Sequence, residues 1–212
     1  MKSAYAVYAF DALVAKLEHR EAHSLLKIAS VMGSEAGNVD EDESSPLFVT
    51  WNTVVKGGKD VSLRGCIGTF EPLELLSAIP TYSLNSALQD PRFRPIGLKE
   101  IPNLECGVTI LRQFEKIADP LDWELGTHGI RVAFDPGFGR PSATFLPDVA
   151  VEQGWDKEET LMHLAAKAGV PAFTLDGVKH SITEITRYQG AKSSIRYGDY
   201  KDIIAKVEAA DN

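Results

Sequence analysis

Apolar residues recur at helical spacing near both ends of the chain and alternate at strand spacing through its middle. Phe10, Leu13, Val14 and Leu17 define an amphipathic helix over residues 5–18, and Leu25, Ile28 and Met32 define a second over about 21–32. Residues 47–55 and 61–70 are β-rich. Between them, Lys56-Gly57-Gly58-Lys59-Asp60 predicts a hairpin turn, where glycine supplies positive φ. Glu71-Pro72 should stop the second strand. Residues 73–89 predict a helix that breaks or restarts at Pro80, because proline removes an amide and crowds the preceding turn. Asp90-Pro91-Arg92-Phe93-Arg94-Pro95 reads as an irregular turn.

Leu104, Cys106, Val108 and Ile110 share one face of a further strand, and Ile130, Val132 and Phe134 mark another that starts near His128. A loop over residues 135–141 leads to a short strand at 143–146, and Pro147 opens a helix to about Gln153. Asp156 and Glu159 have the spacing of a capping box for a helix carrying Leu161, Leu164 and Ala165, which ends at Gly169 and Pro171. Residues 181–188 predict the last strand. Tyr200, Ile203, Ile204 and Val207 predict a C-terminal helix. Hairpins set among helices, without regular βαβ alternation, specify an α+β fold with a mainly antiparallel sheet.

Composition narrows the class. The 212 residues are 44% hydrophobic and 25% charged, and no apolar run approaches the ~20 residues that span a bilayer. The N-terminus becomes polar too early for a secretory signal, and two cysteines suit a reducing compartment rather than a disulfide scaffold. The expected location is the cytoplasm, with access to the nucleus. Five acids (Glu35, Asp40, Glu41, Asp42 and Glu43) fall in an acidic, Ser/Gly-rich stretch at about 34–46, which reads as a flexible insertion. Without them 25 acids face 22 bases, so the net charge of −8 falls to about −3 for the remaining body. That balance does not favour nucleic-acid binding, although Lys179, His180, Arg187, Lys192 and Arg196 gather toward the C-terminus. A solvated face is the plainer reading of those residues.

The candidate chemistry centres on Leu63-Arg64-Gly65-Cys66-Ile67-Gly68-Thr69-Phe70. Glycines weaken a strand, so Gly65 and Gly68 imply close approach by another group. Strand alternation puts Val61, Leu63, Gly65 and Ile67 on a core-facing side, with Ser62, Arg64, Cys66 and Gly68 on the other. Arg64 would then lie about 7 Å along the strand from Cys66 and favour its thiolate, while Gly68 would leave room beside the sulfur. Cys106 falls on an apolar face and should be inert. The plainer reading of Cys66 is a small residue at a crowded crossing.

A nucleophilic cysteine needs a base. His128, between Gly126-Thr127 and Gly129, is the most suggestive histidine, and its plainer role is capping a strand entry. His19 and His23 read as solvated surface. Glu152, Gln153 and Trp155 cluster around Gly154; Trp155 reads as a lid over the core, and the other two are free to line a pocket. Arg92 either binds an anion or pairs with Asp90, the pair being preferred. No metal motif and no cofactor motif stands out.

Arg64-Gly65-Cys66-Ile67-Gly68 resembles the hallmark of the AMMECR domain family, named after a human Alport–midface hypoplasia–elliptocytosis chromosomal region. The similarity extends from about Pro46 to Tyr200 through Phe48-Val49-Thr50-Trp51, Ser86-Ala87-Leu88, Asp90, Arg92-Phe93, Asp122-Trp123, His128-Gly129-Ile130, Leu146-Pro147-Asp148-Val149, Glu152-Gln153-Gly154-Trp155-Asp156 and Arg187-Tyr188. It implies one AMMECR-like domain over residues 1–212, with a larger and a smaller lobe and the cysteine segment near a cleft. Company with Memo-type and radical-SAM proteins in prokaryotic relatives implies redox or small-molecule metabolism and a Memo-type protein partner. Two functions are therefore carried forward. One is an enzyme or enzyme-associated protein acting on a small molecule, with Cys66, Arg64, His128 and Glu152 catalytic and Gly65, Gly68, Thr69, Arg92, Gln153 and Trp155 binding. The other is a non-catalytic protein- or RNA-binding module.

Overall fold

Ser3 starts the first helix by accepting a hydrogen bond from the Ala6 amide, and His19 ends it in the left-handed conformation at φ 57°. In the computed structural model, which describes residues 2–55, 58, 60–137, 139–171 and 173–210, the chain divides into a larger unit and a smaller one. The larger comprises Met1–Ile110 and Lys192–Asn212, and the smaller Leu111–Ala191.

The larger unit contains α1 (Ala4–Glu18), α2 (Leu25–Met32), β1 (Ser44–Val54), β2 (Val61–Glu74) and α3 (Leu75–Leu88). It also takes the start of β3 (Leu104–Lys116), the end of β6 (Ile182–Arg196) and α7 (Tyr197–Ala209). The expected amphipathic α1 is instead buried almost all round as far as Ala15, with alanines at 4, 6, 9, 12 and 15 letting neighbours approach closely. Its Phe10 stacks on Tyr200 and meets Trp51 edge-on. Ser24 caps α2, which starts later than residue 21.

Two proline expectations are corrected. β2 continues through Pro72 to Glu74, pairing Ser45 with Leu73 and Ser44 with Glu74. It is an edge strand, where a missing amide is tolerated. α3 runs unbroken through Pro80. A prolyl nitrogen cannot bond the carbonyl four residues back, and the Tyr8 hydroxyl donates to that Leu76 carbonyl at 3.1 Å instead.

The smaller unit contains the rest of β3 and β6, β4 (His128–Phe134), β5 (Ser142–Phe145), α4 (Pro147–Gln153), α5 (Lys157–Lys167) and α6 (Leu175–Ser181). The Asp156–Glu159 capping box is formed in both directions. α6, capped by Thr174, was not anticipated, and β6 extends well past residue 188. The core of this unit is Trp123, Ile130, Val132, Phe134, Leu161, Leu164, Val178, Ile185 and their neighbours.

Strands follow the order β2-β1-β3-β6-β4-β5, and the pairs β1–β2, β1–β3, β4–β5 and β4–β6 are antiparallel. This is the expected α+β fold. Of the predicted hairpin turn, Lys56, Gly57 and Lys59 lie outside the described residues, as does Phe138 of the 135–141 loop. At the base of that turn, the Val55 amide donates to the Asp60 carbonyl, and Gly58 has φ +71°. In the acidic stretch, residues 33–36 form a 3-10 turn, and the Asp40 amide donates to the Tyr5 hydroxyl at 3.1 Å.

Candidate functional site

The Cys66 segment is built around the unpaired edge of β2. Cys66 turns its amide and carbonyl outward, and the Asp90–Arg92 turn meets both. Asp90 accepts from the Cys66 amide at 2.9 Å, and Arg92 donates to the Cys66 carbonyl at 3.0 Å. The two side chains pair with each other at 2.7 Å, which is the arrangement preferred for Arg92 from sequence. Together they do for one residue what a neighbouring strand would do, and they block that edge to other chains. Arg92, with burial acting against it, holds the nearly sealed Asp90 carboxyl well below the usual carboxylate range.

A second side chain enters the ladder itself. Ser86 of α3 accepts from the Ile67 amide and donates to the Val49 carbonyl, both at 2.6 Å. Val49 and Ile67 are register partners, so the hydroxyl stands between their backbone groups. This approach explains Gly65, where a Cβ would overlap the Ser86 carbonyl. At Gly68 a Cβ would overlap the Phe48 ring, so the space expected beside the sulfur at that position is filled.

Cys66, Thr50 and Gly107 form one row across β2, β1 and β3. The Thr50 hydroxyl lies 3.2 Å from the Cys66 sulfur, and Cys66 as a residue is half-buried. A Cβ at Gly107 would meet nothing closer than 3.8 Å, so crowding does not demand glycine there. The opposite alternation is less apolar than expected: Gly65 is buried, but Val61 and Leu63 are exposed because the early part of this edge strand is uncovered. The partner the structure shows for Arg64 is a carboxylate rather than the thiol. Arg64 forms a fork with Glu100 at 2.8 and 3.2 Å and lowers that carboxyl's pKa. Thr69 accepts from the Glu71 amide. Cys106 is fully buried, and burial pushes its thiol well above the ordinary range, as its apolar position predicted.

His128, Glu152, Gln153 and Trp155 belong to the smaller unit. His128 closes a turn at the entry to β4, its Nδ1 accepting from the Glu124 amide at 3.1 Å and its own amide donating to the Glu124 carbonyl. That is the capping role. Gly129 is required by the Tyr188 ring packed against it. Glu152 and Gln153 are exposed at the end of α4. Trp155 is half-buried between Phe145 and His163, stacking on the latter at 3.8 Å.

Acids hold much of the basic cluster. Arg187 pairs with Glu115 and Asp122, Arg196 with Glu105, and Lys179 approaches Glu158. Among the described residues no cluster of three or more metal-ligating side chains occurs. No helix there is long and apolar enough to cross a membrane.

Sequence reading missed two features of the larger unit. Glu100 carried no signal, since its partner Arg64 is 36 positions away. Asp11, to which helical spacing gives no role, is fully buried and accepts from Arg20, Tyr200 and the His23 amide. His23, expected on solvated surface, also brings its Nδ1 to 3.2 Å from Asp11. His19 is the cap of α1.

The geometry defines an α+β protein with a half-buried cysteine whose peptide is clamped at a sheet edge. A family model described as AMMECR1 matches residues 6–193, and the chain belongs to the AMMECR1 family. An uncharacterised protein of Arabidopsis thaliana is 41% identical over 197 residues, covering 92% of this chain and 85% of its own length. An uncharacterised protein of Kluyveromyces lactis is 38% identical over 223 residues, covering 99% and 97%. The crystal structure of an uncharacterised protein from Pyrococcus horikoshii is similar at TM-score 0.63 and 25% identity, covering 92% of this chain and 93% of that one.

Proposed function

We propose that this chain is an enzyme, or an enzyme's substrate-handling partner, that engages a small molecule through the Cys66 thiol. The supporting observation is the clamp on Cys66. Asp90 and Arg92 fix its amide and carbonyl, so the thiol has little backbone freedom to lose when a ligand binds. Thr50 offers a hydroxyl to the sulfur, and Arg92, which donates to the Cys66 carbonyl, has a side chain 54% accessible. In this reading Cys66 is the nucleophile or covalent carrier and Thr50 orients its proton. A Memo-type protein is the proposed partner, and the cytoplasm, with access to the nucleus, the proposed location.

The test compares material purified from the native host as wild type and as Cys66→Ser and Cys106→Ser variants, using mass spectrometry for adducts and co-purifying small molecules. The reading expects a species lost in Cys66→Ser and kept in Cys106→Ser. An identical small-molecule profile in all three proteins, together with full complementation of a null strain by Cys66→Ser, would overturn it.

A further inference from the structure

Two guanidinium groups gather over one aromatic ring at the edge that carries Cys66. The Arg64 guanidinium carbon lies 5.9 Å and that of Arg92 5.4 Å from the centre of the Phe93 ring. Each arginine uses part of its donor set on the protein. Arg64 gives Nε and Nη2 to Glu100, and Arg92 gives Nε to Asp90 and Nη2 to Asp90 and the Cys66 carbonyl. The remaining nitrogen of Arg64, Nη1, is shielded from solvent and has no hydrogen-bond partner among the described residues. A shielded guanidinium donor without an acceptor is costly, and folded proteins seldom leave one so. No hydrogen bond among the described residues engages Arg92 Nη1 either, and that side chain is largely open to solvent.

We propose that Arg64 and Arg92 form a subsite for the carboxylate of a small anionic ligand, held beside the Cys66 thiol. The proposal rests on the Cys66 reading above and adds the class of molecule. The exposed Arg92 Nη1 supplies a donor for one oxygen of a planar carboxylate. Arg64 Nη1, shielded in the free protein, meets the other once the ligand displaces the cover over it, whereas a phosphate presents three or four oxygens to satisfy. Glu100 and Asp90 hold the two arginines in place before any ligand arrives, which lowers the ordering cost of binding. The Phe93 ring beneath both cations keeps them together despite their like charge. Arg92 holds the Cys66 carbonyl and Arg64 stands two residues before the cysteine, so a carboxylate seated there lies close to the residue that carries the sulfur.

Paired thiol reagents read the charge preference directly. Iodoacetate carries a carboxylate on the carbon that is attacked, and iodoacetamide is its neutral counterpart. The measured quantity is the iodoacetate-to-iodoacetamide rate ratio at Cys66, by peptide mass spectrometry, divided by the same ratio for glutathione. In the folded wild type it should be roughly two- to five-fold above one, the scale of one partly exposed charge pair, and fall as salt is added. Arg64→Gln and Arg92→Gln should bring it close to one, and Arg92→Lys should retain part of it. Labelling of buried Cys106 in the same samples reports any unfolding. Reaction at Cys66 with no charge preference, or a preference that survives both glutamine variants, would overturn the subsite and leave the Cys66 reading standing. No reaction of Cys66 with either reagent would overturn both.

Discussion

The amide of Cys66 donates to the buried carboxylate of Asp90 across 24 positions of sequence. One carboxylate thereby closes the Asp90–Arg92 turn, orients Arg92 and fixes the peptide that carries the thiol. Asp90→Asn keeps the shape but weakens the ion pair and sets an amide nitrogen against part of its donor set. It should lower unfolding stability by about 1–3 kcal/mol, the cost of leaving a shielded polar group poorly paired. Denaturant unfolding measures this, and a change below about 0.5 kcal/mol would mean that the clamp is not formed in solution.

The two thiols should differ sharply in reactivity. Cys66 is half-buried, whereas Cys106 is sealed and its thiol is pushed up by burial. Under native conditions a neutral alkylating reagent should modify Cys66 first, and Cys106 only as the protein unfolds. Equal rates in the folded protein would contradict the placement of one cysteine or the other.

The three glycines of this region make opposite predictions. Gly65→Ala drives a methyl group into the Ser86 carbonyl, and Gly68→Ala drives one into the Phe48 ring. Each should cost about 1–3 kcal/mol or more, because backbone or a packed ring must move. Gly107→Ala meets only ordinary contacts and should leave stability within about 1 kcal/mol of wild type. Thermal unfolding of the three variants separates glycine needed for packing from glycine that is not.

Acid should unfold the larger unit through its depressed carboxylates. Burial pushes Asp11 up, but Arg20, the His23 amide and Tyr200 outweigh it, so its folded pKa lies below the unfolded value. Asp90 and Glu100 are lowered too. A carboxylate lowered on folding contributes stability that is complete above its unfolded pKa of about 4 and is lost as pH falls through the folded value. Asp11→Asn should remove part of that acid-dependent loss and cost about 3–5 kcal/mol near neutral pH, as expected when a buried ion pair loses one partner. Unfolding free energy followed from pH 7 to pH 2.5 tests both the slope and the offset.

Pro80 gives a local check on how tertiary contacts support α3. Tyr8→Phe removes the donor that meets the Leu76 carbonyl and should cost about 1 kcal/mol. In a Pro80→Ala background the helix can supply its own amide, so the same substitution should cost less. Equal costs in both backgrounds would show that the hydroxyl does not compensate for the proline.

Local chemistry was legible wherever the deciding atoms lie within a few residues of one another. The Asp156–Glu159 box, the Pro147 helix start and the alternation of Leu104, Cys106, Val108 and Ile110 are short-range patterns, and all of them appear in the fold. The family hallmark likewise marked where the glycines and the cysteine fall. Whether Pro80 breaks its helix, what partners Asp11 finds and whether Gly68 faces a gap depended on Tyr8, Tyr200 and Phe48, each supplied by another element. Arg64 looked like a companion of Cys66 because they are two residues apart, and a distant Glu100 claimed its fork. The sequence by itself determined most of the elements and the place of the Arg64–Gly68 strand, but neither α6 nor which faces of α1 and β2 are covered. The tertiary structure decided which polar groups meet, because a hydrogen bond or ion pair depends on positions that backbone periodicity leaves unspecified.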